Sequence, residues 1–367
     1  MTDRVVEGFK EGAPGRAMIQ RIKELSGGRR VTFMEVCGTH TVEFFKSGLR
    51  SALSDYVRLV SGPGCPVCVT PNSVIDRAVA YSLRPDTLVT TFGDMIRVPG
   101  SVSSLEKAKS EGGRVRIVYS TLDALNIARA NPKLNVVFMG IGFETTSPTV
   151  AASIEMASKQ GVPNYSVLCS HKVIPPALEA LASGGEEIDL QGFLCPGHVS
   201  VIIGSRAYAP IAEKRGIPCV ITGFEPLDMA QGILMLLEQA VEGRSEVENQ
   251  YSRAVRAAGN GKALALIDRV FEIVDSEWRG FGIMPGAGFG IKEAYADFDA
   301  EKRWSVEVEP SKEHPGCRCA EVLRGRILPV DCPLFKKVCT PQSPVGACMV
   351  SSEGTCAAYY KYGSEKL

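Results

Sequence analysis

Six cysteines lie within the 40 residues from 317 to 356, whereas the preceding 316 residues contain only six more. The six are Cys317, Cys319, Cys332, Cys339, Cys348 and Cys356. Soft thiolate ligands suit zinc, Cu(I) and iron–sulfur clusters. The spacing contains neither the paired C-x₂-C knuckles of zinc ribbons nor the C-x₂-C-x₂-C run of bacterial ferredoxins. It therefore favours an iron–sulfur site, with zinc and the absence of either as the alternatives, and it does not select four ligands from the six.

Cys65 and Cys68 form a C-x₂-C pair inside the stretch GPGCPVC. We expect Thr70 to be the N-cap and Pro71 the first residue of a following helix. A thiol near a helix N-terminus is favoured in its thiolate form, so the pair is suited to cycling between dithiol and disulfide. The alternative is half of a structural zinc site, although no second C-x₂-C is present to complete it.

Cys37 and His40 lie three residues apart after an apolar run and could approach one metal or one electrophile. A nucleophilic Cys/His hydrolase is the alternative. The second thiol pair about 30 residues further on favours metal or redox chemistry instead. For His40 alone, helix capping or a buried hydrogen bond is an equally good interpretation.

Three further polar residues follow apolar runs. Glu144 lies in GIGFETT, which lacks the last glycine of a dinucleotide fingerprint and the Lys-Ser/Thr of a P-loop, so it either faces a ligand or belongs to a simple turn. Asp94 could pair with Arg97, and His198 in CPGH could be an ordinary loop histidine. Their position after predicted strands makes them candidates for a site.

Short, continuously apolar and β-branched runs must position these residues. They lie at 31–36, 57–60, 87–92, 115–120, 135–140, 165–169, 192–195 and 218–224. Continuous hydrophobicity is typical of parallel strands buried on both faces. Eight such runs could close as a (β/α)₈ barrel or form two open doubly wound domains, and in both folds ligands bind at the carboxyl ends of the strands.

The predicted helices include one with Ser147 as N-cap, Pro148 at its first position and Gly161 as its end. A second is expected from Pro226 to Glu242 and a third around Tyr251–Asp275. From residue 284 onwards the chain is rich in Gly, Pro and Cys, as expected of a small module organised around a cofactor.

The totals exclude some classes of function. The 367 residues are 45% hydrophobic, and Lys+Arg and Asp+Glu both number 41, so no excess of positive charge attracts nucleic acid or an anionic membrane. No signal-peptide or membrane-spanning run is present in the sequence. We expect a cytoplasmic protein, in which many cysteines indicate metal binding or redox activity rather than structural disulfides.

Several long motifs occur in one order along nearly the whole chain. They are CGTHT at 37–41, SGPGCPVCVTP at 61–71, FGDMIRVPGS at 92–101, GFETTSP at 142–148, CPGHVS at 195–200, DCPLFKKVCTP at 331–341 and SSEGTCAAYYKY at 351–362. Together they closely resemble the HypD family of hydrogenase maturation proteins. One departure is Ala320 after CRC, where the resemblance predicts Gly; it should affect the local backbone rather than ligation.

The resemblance implies two similar α/β domains plus a cysteine-rich domain, which favours two open sheets over the barrel. The expected boundaries are 28–142 for the first α/β domain, 143–275 for the second, and 1–27 with 276–367 for the iron–sulfur domain. A [4Fe-4S] cluster would be held by Cys317, Cys332, Cys339 and Cys356, leaving Cys319 and Cys348 over.

The resemblance also implies a function, namely a scaffold for the Fe(CN)₂CO unit of [NiFe]-hydrogenase. Its partners would be a HypC-type chaperone, a HypE-type cyanide donor and possibly the hydrogenase large-subunit precursor. Cys37 would bind the iron with His40 beside it, and Cys65 and Cys68 would be a redox dithiol. Supporting polar residues would be Asp94, Glu144, His198 and Glu353.

Two other functions remain open from the residues. A cluster-linked thiol–disulfide oxidoreductase would use Cys65 and Cys68 to reduce a protein partner. A zinc-stabilised binding module would hold zinc and no iron. Iron and zinc content separates this last class from the other two.

Overall fold

The computed structural model describes residues 12–183 and 188–363. Its strands form two parallel sheets and one antiparallel hairpin. The strands are β1 (Val31–Glu35), β2 (Val57–Ser61), β3 (Thr87–Thr91), β4 (Val115–Ile117), β5 (Asn135–Gly142), β6 (Tyr165–His171), β7 (Gly192–Pro196), β8 (Cys219–Thr222), β9 (Val247–Asn249), β10 (Phe271–Trp278) and β11 (Gly282–Ile291).

The helices cover the two parallel sheets and build the C-terminal region. They are α1 (Ala13–Ser26), α2 (Gly38–Lys46), α3 (Leu49–Ala52), α4 (Pro66–Val69), α5 (Asn72–Leu83), α6 (Leu105–Ser110), α7 (Thr121–Ala130), α8 (Ser147–Lys159), α9 (Ile174–Ser183), α10 (Gly197–Ile203), α11 (Ala209–Arg215), α12 (Pro226–Glu242), α13 (Gly261–Val270), α14 (Ala300–Arg303), α15 (Cys319–Leu323) and α16 (Thr355–Tyr362). Among these helices, none combines the length and apolar character that crossing a membrane requires.

All eight apolar runs form strands, as predicted, and they divide between two open sheets rather than one barrel. The first sheet has the order β2-β1-β7-β8-β9 and the second the order β4-β3-β5-β6. Within each sheet the pairs are parallel, so the carboxyl ends of its strands lie at one edge. The α/β fold class is confirmed.

The sheets divide the chain differently from the expected boundaries. The boundary at 142/143 falls between β5 and β6, which are paired neighbours in the second sheet. The first sheet is completed by β7, which pairs with β1 from Phe33 opposite Gly192 onwards. The first α/β unit is therefore discontinuous, because the chain inserts the second sheet between β2 and β7.

The N-terminal helix also differs from the expected grouping of residues 1–27 with the iron–sulfur domain. Ile22 of α1 is fully buried in a cluster with Phe33 of β1 and with Leu236 and Leu237 of α12. Helix α1 thus packs on the first sheet, because its apolar side finds the apolar surface of α12 there. Residues 1–11 and 364–367 of the expected domain lie outside the described residues.

Three predicted helix boundaries differ in detail. The N-cap of α8 is Thr146, with Ser147 already helical, and α5 begins at Asn72 with Pro71 as its N-cap, while Thr70 ends α4. The helix expected around Tyr251–Asp275 is shorter, since the chain becomes strand β10 at Phe271. Helix α12 has the predicted bounds.

The cysteine module, defined as residues 317–356, shares a core with both parallel sheets. Cys319, Val322 and Met349 belong to the same buried cluster as Met34 of β1 and Met139 of β5. The module is therefore part of the same hydrophobic core as strands of both parallel sheets.

Candidate redox and metal site

Cys37 lies at the carboxyl end of the central part of the first sheet. It follows β1, which is flanked by β2 and β7, and it is the N-cap of α2 with an extended backbone. Its side chain is 9% exposed. Burial raises the pKa of the Cys37 thiol to about 11. Hydrogen bonds from the backbone amides of His40 and Thr39 favour the thiolate and partly oppose this rise.

Cys65 and Cys68 follow β2, the neighbouring strand. Cys65 is the N-cap of α4, and its sulfur accepts a 3.2 Å hydrogen bond from the Cys68 backbone nitrogen. The two cysteines are joined by a disulfide and are buried, at 3% and 0% exposed. The predicted redox pair is therefore placed at the start of a helix, although that helix is only one turn long.

The two loops touch through their backbones. Gly38 donates a hydrogen bond to the Gly64 carbonyl oxygen at 3.2 Å. A side chain at Gly64 would overlap the backbone of Cys37, so only glycine allows this approach. Cys37 and Cys65 thus lie on loops in direct contact, as their positions after neighbouring strands predict.

Glu353 joins this group from the C-terminal segment. Thr39 donates a 2.7 Å hydrogen bond from its hydroxyl to Glu353 Oε1. A Cβ at Gly38 would come within 2.6 Å of Glu353 Cβ, which shows how closely the segment approaches α2. Glu353 and Asp94 both line an open cavity of about 820 Å³, together with Pro66 of the CPVC segment (Cys65–Cys68).

His40 and His198 meet on the ring of Phe224. Their ring centroids lie 4.6 Å and 4.0 Å from that of Phe224, and both pairs are stacked. His40 is buried, and its Nε2 lies 2.9 Å from the Gly223 carbonyl oxygen. Because a carbonyl oxygen only accepts, Nε2 carries the proton.

The remaining ring nitrogen of His40 has an unused lone pair. Nδ1 is buried and has no hydrogen-bond partner among the described residues. Burial lowers the pKa of His40 to about 4, so the imidazole is neutral at pH 7. Burial also lowers the pKa of His198.

Glu144 lies apart from this group. Its Oε1 accepts a 2.9 Å hydrogen bond from the backbone nitrogen of Ile174. The residue lines a separate cavity with Phe271 and Phe289. Burial raises the pKa of Glu144 to about 7. Arg97, the expected partner of Asp94, donates to the carbonyl oxygen of Pro341 instead.

The cysteine module surrounds a second, narrow cavity. Five of its cysteines line this cavity, namely Cys317, Cys319, Cys332, Cys339 and Cys356. Cys348 lies next to them, and hydrogen bonding with Cys319 lowers its pKa to about 5. A Cβ at Gly346 would come within 2.5 Å of Cys319 Sγ and 2.7 Å of Cys317 Sγ.

The donor set of this cavity fits a soft-metal or iron–sulfur cofactor, because five thiols border one space. Among the described residues, no three His, Cys, Asp or Glu side chains converge as ligands of a single ion would. Cys319 borders the cavity as the four expected ligands do, so the geometry does not separate it from them.

Two buried arginines that position the site are not indicated by any sequence pattern. Arg50 donates to Glu35 Oε1 at 3.0 Å and to the Tyr359 hydroxyl at 2.6 Å, which ties β1 to α16. Arg279 donates from Nε to the Thr70 carbonyl oxygen at 2.9 Å. Both arginines bridge segments that are far apart in sequence, so no local spacing reveals them.

Comparison with known proteins agrees with the motifs. The family profile named HypD, described as "Hydrogenase formation hypA family", matches residues 15–363. The chain is 48% identical to "Hydrogenase maturation factor HypD" of Azotobacter vinelandii over 370 residues, covering 99% of this chain and 98% of the relative. It is 44% identical over 371 residues to the Cupriavidus necator protein of that name, covering 99% and 98%. A Rhodobacter capsulatus relative with the same name is 43% identical over 369 residues, covering 98% of both chains. The chain thus belongs to the HypD family of hydrogenase maturation factors.

Proposed function

We propose that this protein is a scaffold on which the Fe(CN)₂CO unit of [NiFe]-hydrogenase is assembled. The observation that carries the proposal is the contact between the Cys37 loop and the CPVC segment, made by Gly38 and Gly64. It supports the proposal because the loop with Cys37, the proposed thiolate ligand of iron, touches the loop with the disulfide pair, the proposed carrier of electrons. Membership in a family of hydrogenase maturation factors supports the same conclusion.

Iron is the cargo of this scaffold, and Cys37 is its proposed thiolate ligand. Low-spin iron carrying cyanide and CO prefers soft donors such as thiolate. Because burial raises the pKa of Cys37 to about 11, the thiol is protonated before iron arrives and releases its proton on binding. The unprotonated Nδ1 of His40 is a neutral acceptor in the first turn of the same helix.

Cys65 and Cys68 are the proposed source of reducing equivalents for cyanide transfer. Reduction of their disulfide takes two electrons and two protons and yields two thiols, and oxidation of these thiols back to the disulfide returns the two electrons that release cyanide from a thiocyanate, whose sulfur is left as a thiol. The transferred group is proposed to come from a HypE-type protein with a thiocyanate-like carrier, while a HypC-type chaperone shares the iron. The assembled unit would pass to the hydrogenase large-subunit precursor.

Asp94, His198 and Glu353 are proposed to support the iron site through hydrogen bonds and charge. Asp94 and Glu353 line one cavity, and the charge of Glu353 acts on His198. Glu144 lines a different cavity and is proposed to stabilise the fold, because its carboxylate accepts a hydrogen bond from the backbone nitrogen of Ile174. Its proposed contribution is therefore to the position of the loop rather than to contact with iron.

The cysteine module is proposed to hold a [4Fe-4S] cluster through Cys317, Cys332, Cys339 and Cys356. Such a cluster would supply single electrons to the disulfide pair. Helix α4, which contains Cys68, packs against the 3₁₀ helix Ala347–Met349 of the module, so the two redox parts are neighbours.

We also propose a cytoplasmic location, because ten of the 12 cysteines are free thiols.

The burial of the disulfide favours the scaffold over a cluster-linked thiol–disulfide oxidoreductase. Cys65 and Cys68 are 3% and 0% exposed, whereas attack on a protein disulfide requires an accessible sulfur. Delivery of electrons to a small group on iron at Cys37 does not require that a partner protein reach the sulfur of Cys65 or Cys68. The buried pair is therefore better suited to an internal partner.

Replacement of Cys37 with Ala tests the proposal, with Cys219→Ala as the control for loss of a buried thiol. Cys37→Ala should lose the iron bound beyond that of the cluster and should fail to support hydrogenase maturation, while cluster absorbance remains. Cys219→Ala should retain all three properties. Maturation that survives in Cys37→Ala would show that the scaffold assignment is wrong.

A further inference from the structure

The loop of residues 222–224, at the carboxyl end of β8, holds the imidazole of His40. The Gly223 carbonyl oxygen lies 2.9 Å from His40 Nε2, and the Thr222 hydroxyl oxygen lies 3.0 Å from the same nitrogen. The ring of Phe224 stacks on the His40 ring. Because a carbonyl oxygen only accepts, the position of this loop keeps the proton on Nε2 and leaves the lone pair on Nδ1.

Gln250, the residue after β9, fixes the loop of residues 222–224 in place. Its side-chain Oε1 accepts a 3.0 Å hydrogen bond from the backbone nitrogen of Gly223. Its own backbone nitrogen donates to the Ile221 carbonyl oxygen at 2.9 Å, so Gln250 is also anchored to β8. One side chain thus holds the glycine whose carbonyl oxygen faces His40.

Asp228 of α12 sets the orientation of the Gln250 amide. Gln250 Nε2 donates a 2.8 Å hydrogen bond to Asp228 Oδ1, and an ionised carboxylate only accepts. The amide nitrogen therefore faces Asp228, and the amide oxygen faces Gly223. A flipped amide would lose both hydrogen bonds, because its oxygen would meet a carboxylate and its nitrogen would meet a backbone N–H.

Arg253 holds Asp228 in turn. Its Nη1 donates to Asp228 Oδ1 at 2.8 Å and its Nη2 donates to Oδ2, which makes a bidentate pair. Asp228 is 7% exposed, and the loop lies directly against its carboxylate, since a Cβ at Gly223 would overlap Asp228 Oδ2. Three polar side chains in series therefore determine where the Gly223 carbonyl oxygen lies.

We propose that Gln250 is a positioning residue that holds the loop of residues 222–224 so that His40 keeps its proton on Nε2 and its Nδ1 lone pair stays available to the iron site. The inference rests on the proposed function in so far as His40 lies beside the iron at Cys37. Asp228 and Arg253 act through Gln250, because they orient its amide. With the proton on Nδ1 instead, His40 would present a donor where it now presents an acceptor.

Three variants test the role of Gln250. Gln250→Leu removes the acceptor of the Gly223 hydrogen bond, whereas Gln250→Glu keeps an acceptor at that position. The matched control is Gln231→Leu, because the hydrogen bond that the structure gives Gln231 is to the Gln250 side chain, at 3.2 Å, and not to the loop.

The main measurement is the ¹⁵N NMR spectrum of the full-length protein, purified anaerobically and labelled with ¹⁵N-histidine. The chain contains four histidines, and the signals that are absent from His40→Asn identify His40. The protonated and the bare nitrogen of a neutral imidazole have well-separated shifts, so the spectrum reports the tautomer. The wild type should show the Nε2–H form. A wild-type spectrum with the proton on Nδ1 would overturn the proposal without any variant.

The variant spectra decide whether Gln250 is responsible. Gln250→Leu should lower the ratio of the Nε2–H to the Nδ1–H form about tenfold, the factor that corresponds to loss of one hydrogen bond. Gln250→Glu and Gln231→Leu should keep the wild-type ratio. Equal ratios in Gln250→Leu and Gln231→Leu would refute the role of Gln250, and equal falls in Gln250→Leu and Gln250→Glu would refute the role of its acceptor atom.

Arg253→Gln replaces Gln250→Leu if the latter does not fold. The Arg253 side chain is 55% exposed, so its loss leaves the core intact, and it should shift the tautomer ratio in the same direction. A ratio equal to that of Gln231→Leu would again refute the proposal.

A second measurement connects the tautomer to iron. Anaerobic titration with Fe²⁺ gives the affinity for iron beyond that of the cluster, and Gln250→Leu should bind about tenfold more weakly than Gln231→Leu. Equal affinities, with the tautomer ratio changed, would overturn the availability of the lone pair to the iron site. If Cys37→Ala retains this iron, the proposed function fails, whereas the NMR series still decides the role of Gln250.

Discussion

The backbone nitrogen of Gly38 and the carbonyl oxygen of Gly64 form a 3.2 Å hydrogen bond. This bond joins the loops after two neighbouring strands, and the lack of a side chain at Gly64 lets the second loop lie against Cys37. The position of Cys37 relative to the disulfide pair is therefore set by backbone contact.

Gly64→Ala should separate the two loops. The added methyl would overlap the backbone of Cys37, and overpacking of this kind costs about 1–3 kcal/mol of unfolding free energy. Urea unfolding measures the loss, and iron content beyond the cluster should fall in parallel. The control is Gly261→Ala, since a Cβ there meets no atom within 4 Å. Two variants of equal stability and iron content would contradict the role of the contact.

Tyr359→Phe should loosen α16 from the first sheet. The change removes the acceptor of the 2.6 Å hydrogen bond from Arg50, leaving a buried guanidinium donor without that partner. We expect a loss of about 1–3 kcal/mol in unfolding free energy, measured by urea denaturation. Tyr360→Phe is the control, because the contact of its ring with Phe335 does not depend on the hydroxyl. A loss in Tyr360→Phe as large as that in Tyr359→Phe would argue against the network.

Glu144 should make the protein less stable as the pH rises. Burial raises its pKa from 4.5 to about 7, so the folded state binds more protons than the unfolded state between these values. Stability therefore falls through that window, by about 3 kcal/mol for the full shift. Glu144→Gln keeps an oxygen for the Ile174 bond and removes the ionisation.

Thermal unfolding at pH 5 and pH 8 tests this sign. The melting temperature of Glu144→Gln relative to the wild type should be higher at pH 8 than at pH 5. A difference that is the same at both pH values would show that Glu144 does not titrate in this range.

Serine substitutions should define the ligands of the cysteine module. Each change at Cys317, Cys332, Cys339 or Cys356 should abolish the visible absorbance of the anaerobically purified protein, whereas Cys348→Ser should retain it. Cys319→Ser is also expected to retain it, and this variant is the most informative because Cys319 borders the same cavity. Loss of absorbance in Cys319→Ser, with survival in one of the four, would revise the ligand set.

The strands could be predicted from the sequence because burial on both faces leaves a continuous apolar run. The meeting of Cys37 with Cys65 was equally predictable, since both follow parallel strands. The domain boundaries were not, because the pairing of Phe33 with Gly192 depends on a contact between distant residues. Glu144 also follows a strand, as Cys37 and Cys65 do, yet its side chain accepts a hydrogen bond from Ile174 of α9 instead of joining their group. No local sequence pattern indicates which way the Glu144 side chain points.

The insertion of the second sheet between β2 and β7 imposes an order on folding. Strands β3 to β6 are contiguous and can pair as soon as they leave the ribosome, whereas β1 lacks its second neighbour until residues 192–196 have been synthesised. The hydrogen bond from Thr39 to Glu353 can form only later still, because residue 353 is synthesised after residues 192–196. A nascent chain can thus complete the second sheet long before the loop that begins with Cys37 has made all of its contacts.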